Sequence, residues 1–198
     1  MQEMNGKRLL LAIGVVAFVV IASVAIFSID WNGGDDPIRD AIRPVNIADY
    51  GTTDVSVQML IRGPVNNNQE HQNLKITVGR DQTVAELISG YQGTVVRAET
   101  TPNNADSYKT FLSALHNSRF NRLQLPPKGI QYDGACPRGQ RFTFEFINGG
   151  EDAPKSSWAT SCGKKTGTFA GDRSQVETLF IAQIPEAQYD ALTLDTIF

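Results

Sequence analysis

"CPRGQRFTFEFINGGEDAPKSSWATSC" spans Cys136 to Cys162 and holds the only two cysteines of the chain. Within it Phe142, Phe144 and Phe146 alternate with Arg141, Thr143 and Glu145, the period of a strand that buries one face. Asn148-Gly149-Gly150 predicts a turn, and "SSWATSC" returns with Trp158, Thr160 and Cys162 in one phase. A hairpin turning near residue 150 sets Cys136 and Cys162 close to opposite each other, within reach of a disulfide. Such a bond contributes about 3 kcal/mol in the chain-entropy model. Two cysteines do not make a zinc site, and His71 and His116 lack the spacing of paired metal ligands, so no metal is expected.

Upstream, the same alternation runs through "DVSVQMLIRGP", with Val55, Val57, Met59 and Ile61 on one face, and through "NLKITVG". Gly63-Pro64 and Asn66-Asn67-Asn68 separate the two and predict an antiparallel hairpin. "TVAELISGYQGTVVRAET" is expected to be one further strand, bent at Gly90 or Gly93, with a helix over Val84–Ile88 as the competing local choice. Tyr108, Phe111, Leu112 and Leu115 fall on one helical stripe behind Asn103 or Asn104 as N-cap. A last helix is expected with Ser174-x-x-Glu177 as its capping box, Val176, Leu179 and Phe180 as its stripe and Pro185 as its stop. The predicted fold is α+β: an N-terminal transmembrane helix, then one domain with a mostly antiparallel five-stranded sheet and two helices, in the order β-β-β-α-β-β-α.

The N-terminus stands apart. Leu9–Phe27 is an uncharged apolar run whose helix spans roughly 28 Å, close to the hydrocarbon thickness of a bilayer. Lys7 and Arg8 precede it, whereas Asp30, Asp35 and Asp36 follow, which places the C-terminal part outside. The run exceeds a secretory signal core, and the small-x-small triplet Ser23-Val24-Ala25 lies inside it, so it reads as an uncleaved anchor. The expected organisation is a cytoplasmic stub (1–8), a membrane anchor (9–29), a juxtamembrane linker (30–53) with a helical turn allowed near Ile38–Ile42, and an extracytoplasmic domain (54–198). The oxidising compartment favours pairing of the two cysteines.

Function is less legible. The formal net charge is −3, and no basic cluster is longer than a pair such as Lys164-Lys165, which argues against a nucleic-acid partner. No nucleotide-binding, serine-hydrolase or metalloprotease motif occurs, and no cofactor is expected. "ATSC" followed by Arg173 faintly resembles the strand end of a sortase-type transpeptidase. That resemblance would make Cys162 the nucleophile, Arg173 its partner and His116 or His71 its base. Ser161 stands where that family has Thr, Arg173 falls at a helix start, and His71 falls in a polar turn, so the pattern is incomplete.

Taken together, "VQMLIRGP", "GYQGTVV", "YKTFLSAL", "CPRGQRFTFEF", "WATSCG", "GTFAG" and "LFIAQIP" resemble uncharacterised single-pass proteins of Saccharibacteria-type bacteria. The resemblance implies a bacterial envelope location, paired cysteines and this order of elements, and supplies no activity. The leading expectation is a membrane-tethered domain that binds a protein or envelope partner without catalysis. A cysteine-dependent envelope enzyme and a subunit of a surface or secretion assembly are the alternatives. Leu123, Leu125, Ile130 and Tyr132, around Pro126-Pro127, form the expected partner-contact loop, with coverage of the sheet edge as its plainer role.

Overall fold

The computed structural model describes residues 46–126, 128–129, 131–132, 134–147, 156–163 and 167–193. The expected anchor and the helical turn near Ile38–Ile42 lie outside these residues. Among the described residues no helix is long and apolar enough to cross a membrane.

Six strands form one antiparallel sheet: β1 (Ser56–Arg62), β2 (Gln72–Val78), β3 (Gln82–Ser89), β4 (Thr94–Pro102), β5 (Arg141–Ile147) and β6 (Ser157–Thr160). Their spatial order is β4-β3-β2-β1-β5-β6, so β1 lies inside the sheet, between β2 and the distant β5. Helices α1 (Ala105–Asn117), α2 (Arg173–Ile181) and α3 (Glu186–Thr193) complete the fold.

The α+β class and the antiparallel sheet agree with the sequence, while the count of elements does not. The segment expected as one bent strand is two, β3 and β4. Gly90 and Gly93 both take positive φ, 73° and 79°, and turn the chain fully between them. The competing helix over Val84–Ile88 does not form, because those residues pair with β2. Helix α3 was not expected: Pro185 ends one helix and leads directly into another. The predicted Ser174 cap is displaced by Asp172, whose carboxylate accepts from Gln175 N at 3.1 Å and from the Ser174 hydroxyl at 2.9 Å. Asn104 caps α1 as predicted, accepting from Ser107 N at 2.9 Å. Residues Ile47–Thr52, assigned from sequence to the linker, form a 3₁₀ helix whose Ile47 is fully buried in the domain core.

Alternation gives the sheet two different faces. Val57, Met59 and Ile61 of β1, Leu74, Ile76 and Val78 of β2, and Phe142 and Phe144 of β5 point into the core and meet Tyr108, Leu112 and Leu115 of α1 there. Phe120, just beyond α1, packs edge-on against Phe144 and Phe146 at 5.6 Å, and Phe111 meets Phe180 of α2 at 5.3 Å. These fully buried side chains supply the main driving force for folding, at about 1.5–3 kcal/mol each. The opposite face carries Gln58, Leu60, Arg62, Asn73, Lys75, Arg141, Thr143 and Trp158, and among the described residues no helix packs on it.

The two outer edges of the sheet are treated differently. Beyond β6, Phe169 N donates to Trp158 O at 2.9 Å and Gln124 N donates to Thr168 O at 2.7 Å, so two further chain segments cover that edge. The cover comes so close that a Cβ on Gly167 would sit 2.1 Å from Trp158 O, which only glycine avoids. On the far side β4 is outermost, with most of its residues exposed.

Tyr108 ties α1 to the entry of β1, its hydroxyl donating to Val55 O at 2.6 Å, and burial pushes that phenol well above its ordinary pKa. Tyr108→Phe leaves the buried carbonyl unpartnered and is expected to cost about 1–3 kcal/mol in urea unfolding. Asp172 is held below the usual carboxylate range, chiefly by the Gln175 amide. Its contribution is therefore present at neutral pH and disappears as pH falls through the carboxylate range. Asp172→Ala should cost about 1 kcal/mol near pH 7 and progressively less in acid, read from unfolding curves at several pH values.

Candidate functional site

The register of the bare sheet face brings together residues far apart in sequence. Arg62 of β1 lies directly opposite Arg141 of β5 on one side and Asn73 of β2 on the other. Asn73 in turn faces Ile88 of β3, and Arg141 faces Thr160 of β6. One row across the sheet thus reads Thr160–Arg141–Arg62–Asn73–Ile88. Two like charges directly opposite each other destabilise a sheet, so this row departs from what packing alone would select.

Tyr132 is what the two guanidinium groups share. The Cζ atoms of Arg62 and Arg141 lie 5.4 Å and 5.8 Å from the centre of its ring. Trp158 meets the same ring edge-on at 5.5 Å, and the Thr143 hydroxyl donates to the Tyr132 hydroxyl at 3.2 Å. The ring quadrupole offsets part of the repulsion between the arginines, by about 0.5–2 kcal/mol per contact. Arg141 is buried, whereas Arg62 is half-buried and has no carboxylate in ion-pair range among the described residues.

Beside Arg62 the face opens into a cleft of roughly 400 Å³, walled by Leu60, Asn73, His71, Ile88 and Tyr91. Asn73 is only 8% exposed, and its Oδ1 has no hydrogen-bond partner among the described residues. A buried acceptor left open costs about 1–3 kcal/mol, which a ligand carrying a donor would recover. The far wall is firm. His71 stacks on Tyr91 at 4.0 Å, and its Nδ1 lies 3.1 Å from Pro64 O. The Tyr91 hydroxyl donates to Asn66 O at 2.9 Å, while Tyr91 N donates to Asn68 Oδ1 at 2.8 Å.

No protein-family model matches this chain, and no curated protein matches it. No activity comes to it by kinship.

The predicted site residues fall in several places. Cys136 and Cys162 lie at disulfide distance, with Cα atoms 5.6 Å apart, and no cysteine is free. Their junction is tight: a Cβ on Gly139 would lie 2.5 Å from Cys136 Sγ and from Ser161 Oγ. Of the expected contact loop, Leu125 is 72% exposed, Leu123 is half-buried and bridged to Phe169 at the covered edge, and Ile130 lies outside the described residues. Among the described residues of that loop, Tyr132 reaches the arginine row. His116 is exposed on α1, and Arg173 donates to Glu177 at 2.6 Å while lying over the Phe142 ring at 4.6 Å. His71, assigned from sequence to a polar turn, is instead buried at the mouth of β2. Among the described residues no cluster of His, Cys, Asp or Glu suits a metal ion.

A larger hollow, about 760 Å³, lies between the end of α1 and the start of α2. Asp172 already occupies the helix start there, and its carboxylate disfavours an anion at that position. For an anion, the cleft beside Arg62 is the better candidate.

Intact-mass analysis of protein isolated without reductant should show no alkylation at Cys136 or Cys162. Cys136→Ala/Cys162→Ala should lower stability by about 3 kcal/mol.

Proposed function

We propose that this protein is a membrane-tethered extracytoplasmic module that binds a partner without catalysis and uses the bare sheet face to do so. The observation that carries the reading is Arg62, which has no ion-pair partner among the described residues, lying directly opposite Asn73, whose buried Oδ1 has no hydrogen-bond partner among them. A guanidinium without a carboxylate attracts an anion, and the open Asn73 oxygen accepts from an N–H or O–H on that same ligand. The chemical class that meets both is a carboxylate with an N–H or O–H donor one or two carbons away, as in a peptidyl carboxylate or a uronic acid. Both occur in envelope polymers, and the first also at protein termini, which fits the location implied by the apolar N-terminal run. The net charge of −3 makes the arginine row a local attractor on an acidic molecule.

The non-catalytic part of the reading is supported by the pairing of Cys162 with Cys136. A thiolate nucleophile requires that bond to be open. His116 is exposed on α1, and His71 is stacked on Tyr91 with its Nδ1 3.1 Å from Pro64 O.

Saturation-transfer difference NMR on the full chain in detergent micelles tests the site, with N-acetylalanine and glucuronate as probes. Both acids are expected to show transfer that their methyl esters lack. Arg62→Gln and Asn73→Ala should each weaken binding about tenfold or more. No transfer from either acid, or equal transfer in both variants, overturns the proposal.

A further inference from the structure

The open edge at β4 carries an inference independent of the ligand site. Asn103 N donates to Asp81 O at 2.9 Å, and the β3–β4 register continues through Thr83/Thr101, Ala85/Glu99 and Leu87/Arg97. In an antiparallel ladder the bonded pairs alternate with the unbonded ones. Arg97, Glu99 and Thr101 therefore turn their backbone groups toward β3, while Ala98, Thr100 and Pro102 turn theirs outward. Pro102 has no N–H to offer, and the register shift after Leu87 interrupts the strand at its other end. What remains between them is a short, regular edge, unpaired among the described residues, with outward donors and acceptors on Ala98 and Thr100.

Three antiparallel registers let this edge pair with its own copy through those two residues. Ala98 opposite Thr100 puts Glu99 against Glu99, a like-charge contact. Thr100 opposite Thr100 sets Ala98 against Pro102, which lacks the donor. Ala98 opposite Ala98 sets Arg97 against Glu99 of the other copy, and does so twice by symmetry. In the single chain neither Arg97 nor Glu99 has an ion-pair partner among the described residues.

We propose that β4 is a self-association edge, at which two copies of this chain join antiparallel about Ala98 into one continuous sheet. The occupant is a second copy because the edge is complementary to itself in one register and self-repelling or donor-poor in the other two.

Sedimentation of the full chain in detergent micelles tests it. The wild type should show a concentration-dependent dimer. Arg97→Glu and Glu99→Arg should each weaken it about tenfold or more, and Arg97→Glu/Glu99→Arg together should restore it. These positions are on the rim of the sheet, and unchanged thermal unfolding of each variant confirms that its fold is intact. In reconstituted vesicles, Ala98→Cys should cross-link between copies on mild oxidation while Thr100→Cys should not. A wild type that stays monomeric, single reversals without effect, a double reversal that fails to rescue, or cross-linking through position 100 in place of 98 overturns the proposal.

Discussion

Phe144 is the residue on which the two layers of this protein meet. It projects from β5 into the centre of the core, 4.6 Å from the ring of Phe169 and 5.6 Å from that of Phe120. Phe120 in turn reaches Phe180 of α2 at 6.1 Å. Four segments separated widely along the chain are thus joined by rings in largely edge-on and tilted contact, the geometry that aromatic quadrupoles favour. The helices have no comparable hold of their own, since α2 and α3 are shorter than isolated helices need to persist in water. They are helical because this apolar face gives them something to bury.

Committing the helices to one face leaves the other to polar chemistry. Near its middle that face is self-sufficient. Lys75 and Glu86 form an ion pair at 2.5 Å across β2 and β3, and Gln58 bridges Glu145 and Thr77 across β5, β1 and β2. Toward the end of the sheet that carries Arg62 two arginines share an aromatic ring, and the buried Asn73 Oδ1 has no partner among the described residues. The same strand register that satisfies one row leaves an acceptor open there in the next.

Much of the fold was legible in the sequence where alternation and caps were strong. The triplet Phe142, Phe144 and Phe146, the first hairpin, the Asn104 cap and the facing cysteines each rest on a local pattern that tertiary packing reinforces. The β3–β4 boundary was not, because β4 is exposed on both sides and so writes no periodic burial into its residues. Helix α3 was missed for a related reason: "EAQYDALT" has too few apolar residues to show a stripe. The site was illegible for a different cause. Arg62 and Arg141 are ordinary polar-face positions in their own strands, and only the pairing of β1 with β5 makes them neighbours. Tyr132 was singled out as part of a contact loop, but its role depends on that same pairing.

The insertion of β1 between β2 and β5 also sets the order in which the chain can close. Strands β1 to β4 are joined by short connections and can form a meander as soon as they are made, whereas β5 begins at Arg141, long after β1 ends at Arg62. Until it arrives, the other side of β1 presents unpaired backbone groups along "SVQMLIR" beside a bare apolar face. Closure of that gap is a long-range event, slower than the local hairpins because its loop entropy is spent before any contact is gained. A chain emerging from its N-terminus therefore passes through a half-built sheet with a sticky seam, and its yield depends on how quickly the last third follows the first.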